Sequence, residues 1–394
     1  MKKILMGTTA LVAAGAISGI APAQAADPIQ ITISGGMEQW FGFADTEVTA
    51  DSTTTNQTSD PQKVNVQSDS EIQFDGRTTL DNGITFGIKV ELEANANAAD
   101  QIDESVLFIS GGFGRINIGS EDSAGYLMQT IPPDGGIGMN SGDTTAWIAN
   151  PTGAAYGRSV FGSTSLEAGG ASDAEKITYF TPRFAGLQFG VSYIPEGTQD
   201  GAGNQLTSVH DGVSTGLNYT QDFGGFNIAA SGTFHFANNA NNANTAAGTV
   251  AADARVDGST MLYSVGANVG VGPISAGVSF AHNFKGQLAT TNSGEGFGIS
   301  GGVAYQNGPI GVSANTYYGQ IEGLTAAGGD TQDEEDTQLA ASLSGAYTLG
   351  PGIVLRSTVG WAQFDGELAD KGTRGRTTST NSGVFAVAGF DLSF

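Results

Sequence analysis

The 394-residue chain has no cysteine, which excludes disulfides, thiolate metal sites and cysteine nucleophiles together. Bases are scarce: 15 Lys and Arg stand against 39 Asp and Glu, giving a formal net charge of −24. Nucleic-acid binding relies on Lys and Arg against phosphate, so no nucleic-acid partner is expected. An anionic membrane surface is disfavoured for the same reason. Histidine occurs three times, at His210, His235 and His282, on separate segments without metal-ligand spacing or a hydrolase motif. A histidine-dependent hydrolase is thus the weakest of the functional classes, and no catalytic residues are expected. The Gly-x-Gly pieces mark turns and strands and open no helix of a dinucleotide site. After the N-terminus, no run is long and apolar enough for a membrane helix.

The N-terminus itself reads as a signal peptide. Lys2 and Lys3 precede an apolar run from Ile4 to about Ile20, followed by Ala21-Pro22-Ala23-Gln24-Ala25. Cleavage after Ala25 assigns residues 1–25 to export and residues 26–394 to a single mature domain. It also removes two of the few positive charges. An exported chain that crosses a membrane without helices must do so as a closed barrel.

Apolar residues are frequent and regularly patterned, so the acidity does not mark disorder. Residues 64–80 show the pattern best. Val64, Val66, Ile72 and Phe74 fall on one face, and Asn65, Gln67, Asp69, Glu71, Gln73, Asp75 and Arg77 on the other. Asp81-Asn82-Gly83 is a hairpin turn, and 84–94 continues the alternation. Similar runs are read at 29–44, 105–111, 114–120, 175–183, 186–195, 211–222, 226–236, 260–270, 273–284, 296–306, 309–320, 338–349, 352–364 and 383–394. That makes sixteen strands joined by seven tight turns and eight longer connections, the pattern of an all-β, antiparallel transmembrane barrel. A β-sandwich or propeller also alternates, but it would turn its apolar face inward, and no blade motif recurs here.

One connection, 121–173, is irregular and far longer than ordinary loops. Such loops are usually functional. Ile131-Pro132-Pro133-Asp134-Gly135-Gly136 must turn sharply, and 124–129 suits one helical turn. Folded into the lumen, the segment would form a constriction.

Three segments carry a family likeness: Gly112-Phe113-Gly114-Arg115-Ile116-Asn117-Ile118-Gly119, the stretch from Lys176 to Tyr193 with its Tyr-Phe-Thr-Pro-Arg-Phe-Ala-Gly core, and the last strand ending in Phe394. With the signal peptide, they make the chain resemble the general diffusion porins of Gram-negative outer membranes, of the sixteen-stranded type. It departs from them in the length of its third loop and in lacking an acidic-Pro tip motif. The resemblance implies a water-filled channel for passive diffusion of ions and small hydrophilic solutes, set among outer-membrane lipid and lipopolysaccharide. It also implies a homotrimer and a C-terminal Phe394 read by the barrel assembly machinery. The less regular strands 105–120 and 175–183 would suit a wall that faces another copy.

The functional chemistry is then electrostatic. Alternation places Arg77 and Lys89 on wet faces, with Arg115 and Arg356, and Lys176 is grouped with them although both faces of its strand are mixed. The long segment supplies Glu121, Asp122, Asp134 and Asp143 as opposing acids. Opposed charges set a transverse field across a wet pore, and the acidic balance points to mild cation preference. Surface acids Asp45, Glu47, Asp51 and Asp60, and the run Asp333, Glu334, Glu335 and Asp336, would face lipopolysaccharide phosphate. Bridging Ca²⁺ or Mg²⁺ would relieve that repulsion, and a solvated charge run is the plain alternative. No other cofactor is expected. The competing functions are a substrate-specific channel, which a lumenal ladder of aromatics would mark, and a structural or adhesive barrel, which a plugged lumen would mark.

Overall fold

Neighbouring side chains on a strand point to opposite faces, so one strand can serve two solvents. The computed structural model of this chain uses that property throughout. It describes residues 28–50, 63–95, 101–140, 142, 145–148, 160–167, 172–199, 209–242, 255–285, 295–322, 335–368 and 377–394. The strands are β1 (Gln30–Ala50), β2 (Val64–Thr79), β3 (Thr85–Glu93), β4 (Ile102–Gly111), β5 (Gly114–Ser120), β6 (Glu175–Phe180), β7 (Leu187–Glu196) and β8 (Val209–Asp222). They continue with β9 (Asn227–Asn242), β10 (Arg255–Val271), β11 (Ile274–Lys285), β12 (Gly296–Asn307), β13 (Ile310–Glu322), β14 (Glu335–Gly350), β15 (Ile353–Leu368) and β16 (Thr377–Ser393). Each pairs antiparallel with its sequence neighbours, and β1 pairs with β16 to close a sixteen-stranded barrel. Phe394 completes the seam by exchanging backbone hydrogen bonds with Gly35 at 3.0 and 3.1 Å.

The two faces separate by parity. On β14, Leu339, Leu343, Tyr347 and Leu349 are exposed, while Ala340, Ser342 and Ser344 are buried. On β1, Ile31, Ile33, Phe41 and Phe43 point out, and Trp40 and Ala44 point in. The exposed apolar side chains thus form a continuous outer band, as lipid demands. Tyr263, Phe280, His282, Phe284, Phe297 and Tyr318 form a chain of ring contacts from β10 to β13, with centroids 4.5–6.0 Å apart. They share the outward parity of Val265, Val278, Ile299 and Val312, so this aromatic ladder belongs to the membrane side and not to the lumen.

Several expected strand ends move. β1 runs on to Ala50, so Asp45 and Glu47 are strand residues and not loop residues, and Asp45 pairs with Lys63 at 2.9 Å. β14 starts at Glu335, which places Glu335 and Asp336 opposite Glu322 and Ile321 on β13. Backbone pairing, indifferent to side-chain charge, carries these strands past the apolar band. β6 stops at Phe180, shortly before Pro182, which has no N–H to donate to a ladder. Residues 1–25, Asp51, Asp60, Asp143, Asp333 and Glu334 lie outside the described residues.

The lumen is not wet all round. Ile137, Met139, Trp147, Ile148, Val160, Phe161 and Leu166 of the 121–173 segment form one buried cluster with inward side chains of β1, β10, β11 and β13 to β16, among them Leu262, Tyr317, Ala340, Ala362, Phe364 and Phe385. Phe161 and Phe364 are fully buried, with ring centroids 6.1 Å apart. Burying each such side chain contributes roughly 1.5–3 kcal/mol.

The parity assignment makes a quantitative prediction. Leu343→Arg, on the outward face near the middle of β14, should cost about 2–4 kcal/mol. Gln73→Arg, on the lumenal face of β2, should cost within about 0.5 kcal/mol of nothing. Reversible urea unfolding in lipid vesicles would measure both.

Candidate functional site

Residues 124–137 of the 121–173 segment lie against the inner wall, because their backbone bonds to side chains of inward parity. N–H groups of Ala124, Gly125 and Thr130 donate to Ser192 Oγ, Ser214 Oγ and Ser231 Oγ at 2.8, 2.9 and 2.7 Å, which walks the chain across β7, β8 and β9. Asn268 of β10 and Asn315 of β13 donate to the carbonyls of Ile131 and Pro133 at 2.8 and 2.9 Å. Gly135 N–H then reaches Ser313 Oγ at 2.9 Å, and Ile137 N–H reaches Thr358 Oγ1 of β15 at 3.3 Å. An irregular backbone away from bulk water needs partners for each polar group, and the small wall hydroxyls supply them. The helical turn expected near 124–129 is α1 (Ala124–Leu127).

The segment also meets the wall closely at its start. At Gly125, an added Cβ would lie 2.5 Å from Ser214 Oγ and 2.7 Å from His235 Nε2. His235 is fully buried there, its Nδ1 3.0 Å from Ser214 Oγ, and Ser214 donates to Ser123 Oγ at 2.9 Å. This histidine is part of the wall on which the segment rests. His282 belongs to the outer aromatic chain, and His210 Nδ1 lies 3.2 Å from the carbonyl of Asn238.

Lys89, Arg115, Glu121 and Asp122, four of the charges expected at the pore, come together with Glu91, Glu104 and Arg183 around one cavity of about 670 Å³. Lys89 lies between Glu91 and Glu104, 3.1 Å from the latter. Arg115 donates to Asn117 Oδ1 at 2.7 Å, with its guanidinium 4.2 Å from the centre of the Phe108 ring. Glu121 accepts from Asn117 Nδ2 at 2.9 Å. Burial pushes its carboxyl above the usual carboxylate range, against the opposing pull of that hydrogen bond. Glu104 ties wall to segment, accepting from both Asp122 N–H and Lys89 at 3.1 Å.

Other expected site residues have different roles. Lys176 is buried, not a free pore-wall base: its ammonium donates to the carbonyls of Glu121, Ser172 and Ala174. A cation there saturates the carbonyls at both ends of the long segment. Asp134 braces its own turn, accepting from Gly136 N–H and Met139 N–H, each at 2.9 Å. Arg356 pairs with Asp391 at 2.7 Å and donates to Gly135 O at 3.3 Å, so it holds the segment from the other side. Arg77 stands near the end of β2, outside this cavity. Arg183 escapes the parity argument because it lies past the end of β6. It donates to Gly186 O, Gln188 Oε1 and Asn218 Oδ1 at 2.7–2.9 Å, which fixes its guanidinium at the cavity rim.

Expected cation ligands also shift. Glu335 and Asp336 are strand residues, and Asp336 is buried. Among the described residues, the carboxylates close enough to share an ion are Glu71, Glu93 and Asp103, half-buried and within 4.8 Å of one another. Glu71 and Glu93 are direct cross-strand partners.

Gly125→Val should push α1 off the wall. The expected result is a loss of about 1–3 kcal/mol, typical of overpacking, seen by thermal unfolding together with new protease cuts between residues 121 and 173.

The likeness to known proteins agrees with this architecture. Trimeric OmpT of Vibrio cholerae superimposes with a TM-score of 0.57 at 13% identity, covering 93% of this chain and 100% of its own. An anion-selective porin from Comamonas acidovorans gives 0.56 at 14% identity, with 93% and 100% covered. A porin structure refined at 1.8 Å gives 0.54 at 15% identity, with the same coverage. No curated protein matches the chain in sequence. The family model of Gram-negative porins matches residues 7–367, and the chain belongs to that family, as a multi-pass β-barrel channel of the outer membrane.

Proposed function

We propose that this porin passes ions and small hydrophilic solutes by passive diffusion, without catalysis, and that it prefers cations. The observation that carries the preference is the pairing of charges on the lumen wall. Glu38, Asp69, Glu71, Asp75, Glu91, Glu93 and Glu104 line the faces of β1 to β4. The bases are largely engaged: Lys89 between two glutamates, Arg356 with Asp391, Lys176 on buried carbonyls. Arg115 and Arg183 face Glu104, Glu121 and Asp122 across the 670 Å³ cavity, so a transverse field is confined to that corner. Elsewhere the wall presents an acidic surface, which raises the local concentration of cations.

The proposal includes a mature chain that starts at Ala26 and assembles as a homotrimer, as the trimer form of Vibrio cholerae OmpT does. The short strands β5 and β6 present Ile118 and Ile177 outward for such a contact. It also includes recognition of the Phe394 strand by the assembly machinery, and Ca²⁺ or Mg²⁺ between surface acids and lipopolysaccharide.

Single-channel recording in a planar bilayer, with reversal potential in a salt gradient, tests the reading. The expected result is open steps in threes and a cation-biased reversal potential. Silence from a folded barrel, or an anion bias, would overturn it. Acidification should weaken the bias early. Glu121, raised by burial, takes up its proton at a higher pH than an ordinary carboxylate, so its negative charge is present above that pH and lost as pH falls through it. Glu121→Gln should remove this early step and leave the later titration of the other acids.

A further inference from the structure

The lumenal face of β1 and β2 holds a second cavity, of about 410 Å³, whose lining shares no residue with the Arg115 cavity. Strand register sets its chemistry. Trp40 stands directly opposite Gln67, and Glu38 directly opposite Asp69. The 121–173 segment closes the other side with Ile137 and Trp147.

Like charges directly across neighbouring strands repel, and among the described residues no Lys, Arg or His lines this niche to offset them. Arg356, whose charge reaches Glu38, is engaged with Asp391 through Nε and Nη2 at 3.0 and 2.7 Å, and with Gly135 O. The indoles are fixed. Trp40 Nε1–H donates to Glu38 Oε2 at 3.0 Å. Trp147 packs its six-membered ring where a Cβ of Gly42 would be, so only glycine at position 42 lets the indole approach β1 this closely. The result is a preformed recess with two carboxylates and two indole rings.

We propose that this niche binds an organic monocation whose charge sits on a flat or apolar body: a pyridinium, guanidinium or substituted ammonium group. Such a ligand relieves the Glu38–Asp69 repulsion and places its body against Trp40, Trp147 and Ile137. Indole faces attract cations that are weakly hydrated. A strongly hydrated metal ion gains nothing from the rings, a neutral aromatic leaves the repulsion in place, and an anion adds to it. The site names a solute class for the channel reading, and depends on that reading only for access from the lumen.

The test uses two matched quenchers of indole emission, cationic 1-methylnicotinamide and neutral nicotinamide, on the folded protein in detergent. No current is measured, so failure of the channel reading and failure of this one are distinguishable. Trp40 and Trp147 are two of the three tryptophans; Trp361 shares the outward parity of Val359, two residues before it on β15, and supplies the collisional background. The expected result is saturable quenching by 1-methylnicotinamide and linear quenching by nicotinamide. Glu38→Gln with Asp69→Asn should weaken the cation roughly tenfold or more, the scale of two lost charge contacts at partly buried positions. Each near-isosteric single substitution is measured alongside, so the comparison stands if the double variant does not fold. Linear quenching by both probes, or wild-type affinity in both single variants, would overturn the proposal.

Discussion

Lipid offers no hydrogen bonds, and this requirement orders the whole molecule. Each backbone N–H and C=O within the apolar band must find its partner on a neighbouring strand. The seam between β1 and β16 makes that possible, running from the pair Gly36 and Ser393 to Ala50 and Ser379. With the seam shut, alternation does the rest. Within the apolar band, odd-numbered residues of β1 meet lipid and even-numbered ones meet the lumen, and each strand after it repeats the division in its own parity.

The same requirement operates a second time inside. The described residues of the 121–173 segment form little regular structure, so their backbone borrows partners from the wall. Ser192, Ser214, Ser231, Ser313 and Thr358 are short enough to hold it close without filling the space it needs. Its later half brings Ile137, Met139, Val160, Phe161 and Leu166 against inward side chains of β1, β10, β11 and β13 to β16. The lumen is therefore divided: one side is dry and packed, and the acidic faces of β2 to β4, with Glu38 at their border on β1, line the other. Both cavities lie along that acidic side.

The sixteen strands and their hairpins were legible because a period of two repeated over many turns is hard to mistake. Their ends were not. The sequence turns polar after Ala44, yet pairing with β16 continues to Ala50, because the ladder consists of backbone groups and needs no apolar side chain. Parity assigns Lys89, Arg115 and Arg356 to the lumenal face, but it carries no information about what covers a residue there. Lys176 has inward parity and is nonetheless buried beneath the segment that crosses it. Asp134 looked like a free acid among prolines and glycines; those neighbours create the open turn whose N–H groups it satisfies. Arg183 was hidden because the turn at Pro182 resets the alternation. The dry side of the lumen left no signal either, since Ala340, Ala362 and Ala281 suit a wet or a dry surface equally.

The attachment of the long segment also bears on the order in which the protein can form. Its contacts to the wall span 89 residues at Ser214, 101 at Ser231, 178 at Ser313 and 221 at Thr358. Contacts so distant along the chain form slowly, because the intervening loop must first be closed. The segment follows β5, yet the surface that receives it is complete only when β16 is in place. The early strands must therefore assemble around an unfilled interior, and the last third of the chain acts as the template on which its middle takes shape.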